Sequence, residues 1–213
     1  FLARFEQEAV LAAQLSHRAI IPIFQFGEHG DVLWYAMEYI PDAMPLSAVI
    51  RQAAESGEGD GFVPLEDLRA YFMDAAAGLR AIHELDAVHR DIKTDNLLCY
   101  RTPGGPALKI LDFGVAHIED MDLTRTGQVV GTPSYLAPEY LQAVHAMERP
   151  RIDGRLDLFA LGVTLYRALT ADTRPFTGSD WWEVRKAVMT HRPTLPSRIR
   201  PGLPHWWDTI TMR

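Results

Sequence analysis

The chain has 213 residues, 47% hydrophobic and 23% charged, the balance of a globular unit with a sizeable core and not of a disordered tail. A formal net charge of -7 argues against nucleic acid as the main partner, because binding a phosphate backbone needs a basic field. The longest apolar run, Leu158 to Leu165, is too short to cross a bilayer, and the single cysteine, Cys99, can form no internal disulfide, which fits a reducing cytoplasm. No membrane segment or signal peptide is expected in this stretch, and a chain opening on Phe1 reads as a piece of a longer protein, so an anchor elsewhere stays open.

Leu2, Phe5, Ala9, Ala12 and Leu15 recur at helical spacing and predict an amphipathic helix up to Ser16-His17. Ile20 to Phe26 and Val32 to Tyr39 are apolar, β-prone runs joined by Gly27 to Asp31, which reads as a hairpin ended by Pro41. A helix is predicted from Leu46 to Ala54, followed by an acidic, glycine-bearing loop from Glu55 to Gly61. Three glycines there suggest a phosphate cradle, but such a cradle follows a strand and this loop follows a helix, so a flexible surface insertion is the better reading. Pro64 suits the first turn of a long helix, with Glu66 and Asp67 facing its positive end and Leu65, Leu68, Phe72, Ala75, Leu79 and Ile82 as the buried stripe.

That helix delivers the chain to His89-Arg90-Asp91-Ile92-Lys93-Thr94-Asp95-Asn96. Two short strands, Leu97 to Tyr100 and Leu108 to Leu111, then turn about Pro103 to Pro106 and present Asp112-Phe113-Gly114. Two carboxylates, an ammonium and an amide oxygen on neighbouring loops are the set that phosphoryl transfer requires, because positioning and electrostatics dominate that reaction. Asp91 can take a hydroxyl proton and Lys93 can neutralise a phosphate. Asn96 and Asp112 offer the hard oxygens that magnesium prefers, and Gly114 permits a sharp turn.

With Gly131-Thr132 and Ala137-Pro138-Glu139 following in order, the chain resembles the eukaryotic-like serine/threonine protein kinases, and bacterial members in particular, truncated at both ends. The resemblance implies an α+β, two-lobed fold. Residues 1–40 would be the end of the small lobe, with one helix and two strands, and residues 41–213 a mostly helical large lobe. It implies ATP and magnesium or manganese as cofactors, and protein substrates bearing serine or threonine. Asp91, Lys93 and Thr132 would be catalytic, and Asn96 and Asp112 would hold metal. Glu8 would pair with an upstream phosphate-binding lysine, and Met37 would stand at the back of the adenine pocket. The backbone of Glu38 and Ile40 would bond the adenine edge, leaving side chains there weakly constrained, and Leu98 would lie beneath the ring. Thr124 and Thr126 would be phosphorylation sites facing a basic pocket of Arg4, Arg90 and His117. Thr94 departs from the family's usual proline.

Tyr140 to Gly154 reads as a surface insertion. The apolar helix from Arg155 to Thr170 carries Asp157 near its start, either as a cap or, as the resemblance favours, as a buried acceptor for catalytic-loop amides. Arg167 stands where members preferring basic substrates often carry an acid, while Asp95 pulls the other way. Trp181, Trp182, Trp206 and Trp207 each read as core on two further helices. With half the nucleotide clamp missing, the piece alone should lack activity. A pseudokinase or scaffold and a small-molecule phosphotransferase are the alternatives. The first turns on the glycine loop and lysine upstream of Phe1, and the second would lack Gly131 to Glu139.

Overall fold

The computed structural model describes residues 15–30, 32–56, 59–111, 133–146 and 148–212. Two antiparallel strands, β1 (Ile23–His29) and β2 (Val32–Met37), form a hairpin that pairs His29 with Val32 at its tip and Ile23 with Met37 at its base. Gly30, at φ 60°, supplies the left-handed residue that a tight hairpin needs. The strands run further toward the tip than the sequence suggests, so Gly27 to His29 are paired instead of forming the turn.

A second sheet, in the order β3-β4-β5, joins β3 (Met44–Pro45), β4 (Leu97–Thr102) and β5 (Gly105–Ile110). Its β4-β5 turn is tighter than predicted, with Thr102 opposite Gly105. Ahead of the hairpin, Ile21 donates to the Ile110 carbonyl and Ile110 to the Ala19 carbonyl, at 3.0 and 2.8 Å, which ties that segment to β5.

Helix α1 (Leu46–Glu55) and the central α2 (Leu65–His83) follow the predicted patterns. Pro64 stands just before α2 instead of within it, its carbonyl accepting from Leu68 at 3.0 Å. Leu68, Phe72, Ala75, Leu79 and Ile82 are buried as expected, and Asp74 is buried among them, accepting from the Leu108 amide at 3.1 Å and from Arg18. Gly78 lets α2 lie directly on β5: a Cβ there would meet Ile110 Cδ1 at 2.8 Å and the Ala19 carbonyl at 3.2 Å.

Helices α3 (Pro138–His145), α4 (Arg155–Leu169), α5 (Trp181–Thr190), α6 (Pro196–Ile199) and α7 (His205–Thr211) follow in the rest of the described chain. One buried cluster unites α2, α4, β4 and β5, and a smaller one joins Leu141, Val163, Phe176, Ala187 and Val188. None of the described helices is long and apolar enough to cross a membrane.

The structure corrects three expectations. The stretch from Tyr140 to Gly154 is not all insertion: α3 runs to His145 with Tyr140 and Leu141 buried, because Pro138 and Glu139 are good first-turn residues. Trp207 is buried, but Trp182 and Trp206 are exposed, since successive residues on a helix point about 100° apart and cannot both face the core. The far end of the glycine-bearing loop is anchored. Buried Arg200 donates to the Val63 carbonyl at 2.9 Å, reaches Asp60 at 3.3 Å and lies 4.9 Å from the Phe62 ring centre.

Candidate active site

The loop between α2 and β4 holds Asp91, Lys93 and Asn96, and its shape is set by what lies under it. Asp157, in the first turn of α4, is 0% exposed and accepts from the His89 amide at 2.8 Å and the Arg90 amide at 2.7 Å. His83, closing α2, donates Nε2–H to the same carboxylate at 2.8 Å. Three donors on one buried aspartate offset its desolvation and join α2, α4 and the loop. They also hold Arg90 at φ 71°, a left-handed conformation unfavourable for a residue with a Cβ. Of the two roles weighed for Asp157, the acceptor role is the one seen.

His89 is the second anchor. Its Nε2 lies 2.9 Å from the Leu111 carbonyl and must donate, so its Nδ1 is the acceptor facing the Asp91 amide at 3.3 Å. Leu111 in turn donates to the Asn96 carbonyl at 2.8 Å. The loop before β4 and the end of β5 are therefore pinned to each other through the peptides on either side of the Leu111 Cα.

On this frame Lys93 Nζ sits 2.7 Å from Asp91 Oδ2. Asn96 closes the 3-10 turn Thr94–Asn96 and donates its amide to the Asp91 carbonyl at 2.9 Å and to Asp91 Oδ2 at 2.7 Å. With both amide hydrogens directed at Asp91, the side-chain oxygen is what Asn96 has left to offer a cation. Among the described residues no cluster of three or more histidine, cysteine or acidic side chains could hold a metal. Asp112, the other expected ligand, lies outside the described residues, as do Arg4, Glu8, His117, Thr124, Thr126 and Thr132.

The expected adenine-facing residues are joined through a lysine that the sequence reading passed over. Leu98 pairs with Lys109 across β4 and β5 and with Pro45 on β3, and Lys109 Nζ reaches the Glu38 carboxylate at 2.9 Å. Glu38 donates its amide to the Pro22 carbonyl at 3.0 Å, and Ile40 accepts from the Ala43 amide at 3.4 Å. The Glu38 side chain is thus held, contrary to the expectation of weak constraint. Met37 ends β2 and is 42% exposed. Asp95, exposed, accepts from the Ser47 hydroxyl at 2.7 Å. His83 and Lys109 were the omissions; the sequence signal was a polar residue at the end of the long helix and another inside an apolar strand.

Cys99 is buried, and burial with Asp67 nearby pushes its thiol far above the usual range, the inert thiol its apolar neighbours imply. Beside it, burial and the charges of Cys99 and Asp67 push Tyr71 up to about 12.

Comparisons with known proteins agree with this geometry. The model of the protein kinase domain matches residues 2–205. The chain is 36% identical to the tyrosine-protein kinase MasK of Myxococcus xanthus, over 100% of this chain and 32% of that protein. It is 34% identical to the serine/threonine-protein kinase PknJ of Mycobacterium tuberculosis, over 99% of this chain and 34% of that one. The chain thus spans about a third of the length of these relatives. Among solved structures, Rad53 1-466 in complex with AMP-PNP matches with a TM-score of 0.74 at 22% identity, over 98% of this chain and 49% of that one. The PknI kinase domain of Mycobacterium tuberculosis, in a form with one cysteine replaced by alanine, matches with a TM-score of 0.68 at 24% identity, over 98% and 68%. At such identities these two show a shared fold, and with the family model across nearly the whole sequence the conclusion is plain: the chain belongs to the protein kinase family.

Proposed function

We propose that the protein containing this chain transfers the γ-phosphoryl group of ATP to serine or threonine hydroxyls of other proteins. The observation that carries this reading is the Asp91 carboxylate gripped by Lys93 and Asn96, both at 2.7 Å, on a loop anchored from beneath. Bound ATP with its magnesium or manganese supplies the phosphoryl group and the leaving group. Asp91 orients the acceptor hydroxyl and takes its proton as the oxygen–phosphorus bond forms and the bond to the bridging oxygen breaks. Lys93 holds Asp91 in place and offsets negative charge nearby. Asn96 and Asp112 would ligate the cation, Thr132 would brace Asp91 and Lys93, and Glu8 would pair with a lysine upstream. Met37, Glu38, Ile40 and Leu98 would receive the adenine.

On this reading residues 1–40 belong to the small lobe and 41–213 to the large lobe, with the kinase portion in the cytoplasm. Phosphate on Thr124 or Thr126 would be received by Arg4, Arg90 and His117; intact-mass and peptide spectra of active protein finding neither modified would reject it.

The test is transfer from labelled ATP by the full-length protein beside its Asp91→Asn form. Loss of a general base should lower the rate roughly 10²- to 10⁴-fold. Equal incorporation by both would remove Asp91 from the mechanism, and no incorporation by either would favour a scaffold. The MasK name favours a second reading, in which tyrosine is the acceptor. Phosphoamino-acid analysis of the product separates the two.

A further inference from the structure

The segment that joins α5 to α6 lines a cleft of about 670 Å³, bounded by residues 191–195, Arg198 and Met212. Its walls are fixed from behind. Buried Tyr166 of α4 donates its hydroxyl to the Thr194 carbonyl at 2.8 Å, and the His191 amide donates to the Ala187 carbonyl at 2.9 Å. On the other side the Ser197 amide and hydroxyl donate to Asp208 of α7 at 2.9 and 2.6 Å. Tyr166 lies well along α4 from Asp157, roughly 13 Å of helix axis at 1.5 Å per residue, so the cleft is apart from the loop that holds Asp91.

The charge in this cleft is positive and unanswered. Arg192 and Arg198 are exposed, and among the described residues neither guanidinium has an ion pair or a hydrogen bond. His191 stands beside them and adds charge when its imidazole is protonated. No acidic residue is in the lining. Asp208 of α7 is turned to Ser197 and His205, and Glu183 of α5 to the Ser179 amide. In a chain with 28 acidic and 21 basic residues such a gathering is the exception: Arg18, Arg101, Arg167 and Arg200 each reach an aspartate. Like charges held together repel, and an anion between them removes that cost.

The lining also narrows the ligand. Apart from Thr194, its other residues are the apolar Pro193, Leu195 and Met212, with no aromatic ring on which a nucleobase could stack. Two planar forks suit a phosphate, whose oxygens accept paired N–H bonds. We infer that this cleft binds a phosphate group carried on a protein chain, a phosphoserine or phosphothreonine beside an apolar residue, between Arg192 and Arg198. Net charge selects the carrier: at -7 the chain as a whole is repelled by an anionic membrane surface, whereas a peptide brings only its own charge into the cleft. The site goes beyond the proposed transfer reaction and does not rest on it, because a phosphoprotein bound here is held away from Asp91.

The experiment uses the full-length protein and a short fluorescein-labelled peptide with one phosphothreonine flanked by leucines, beside its unphosphorylated twin. Anisotropy without ATP gives both affinities. The phosphopeptide should bind at least tenfold tighter than the twin. Arg192→Gln and Arg198→Gln should each weaken its binding at least fivefold, whereas Arg174→Gln, at an exposed arginine outside the cleft, should change it less than twofold. Each replacement removes an exposed side chain without a partner, so melting temperatures should stay unchanged; if one cleft variant fails to fold, the other is judged alone. Equal affinity for the two peptides, or unchanged affinity in both cleft variants, overturns the inference. So does an equal loss in all three variants, which would mean general attraction to surface charge, and so does binding to phosphatidylserine vesicles in place of the peptide. With no ATP present, a failure of the kinase reading leaves this result untouched.

Discussion

Asn96 directs both amide hydrogens at Asp91, while two residues earlier Thr94 is 0% exposed and its hydroxyl has no hydrogen-bond partner among the described residues. A buried hydroxyl without a partner is destabilising. Lys93 before it is extended, at φ -157° and ψ 169°, a conformation a following proline accepts. Thr94→Pro should therefore stabilise the protein by about 1 kcal/mol, by removing the orphan hydroxyl and restricting the unfolded chain. Calorimetry should show a rise of roughly 2–4 °C in Tm; a fall would mean that the hydroxyl has a partner worth keeping. The sequence made Asp91, Lys93 and Asn96 legible because their chemistry is local, within a few residues of chain. It did not show that Thr94 is buried, or that Glu38 is held by Lys109, because those facts depend on strands and loops far apart in sequence.

At the level of elements, α4 and α2 are joined to the catalytic loop through Asp157. Replacing it by alanine leaves the His89 and Arg90 amides without acceptors, at roughly 1–3 kcal/mol each, and releases Arg90 from its left-handed conformation. Asp157→Ala should lower both the denaturation midpoint and the transfer rate, and Asp157→Asn, with one acceptor oxygen left, should fall between. Activity kept at full rate in a destabilised Asp157→Ala protein would show that the loop holds its shape without this support. Gly154 guards the same junction. An added Cβ would meet the His83 ring at 2.6 to 2.9 Å, so Gly154→Ala should displace His83 from Asp157 and lower Tm. Helical periodicity revealed the elements themselves, and failed where a motif hid one, at Pro138–His145, and where paired tryptophans straddled two faces of a helix.

Across the whole molecule, acid should act through a carboxylate that has more partners folded than unfolded. Burial raises the pKa of Asp208, but bonds from the Ser197 hydroxyl and amide, at 2.6 and 2.9 Å, and from His205 outweigh it and leave the pKa lowered. Since the folded value lies below the unfolded one, about 4, the stabilisation is complete above that pH and is lost as pH falls through the folded value. Tm measured between about pH 5 and pH 2 should decline, and Asp208→Asn should decline less over the same window. Exposed Asp153, held at about 2 by the Arg155 side chain and amide, should contribute little because solvent screens it. The fold class was legible in the order of the motifs.

The double attachment of Leu111 bears on everything that follows it. Its amide is bound to Asn96 and its carbonyl to His89, so neither the peptide before Leu111 nor the one after it can rotate without breaking a bond to the loop before β4. Whatever path the chain takes from residue 112 toward Pro133, it leaves from a stationary pivot. Weakening either bond, by His89→Ala for example, should loosen the end of β5 and the loop before β4 together.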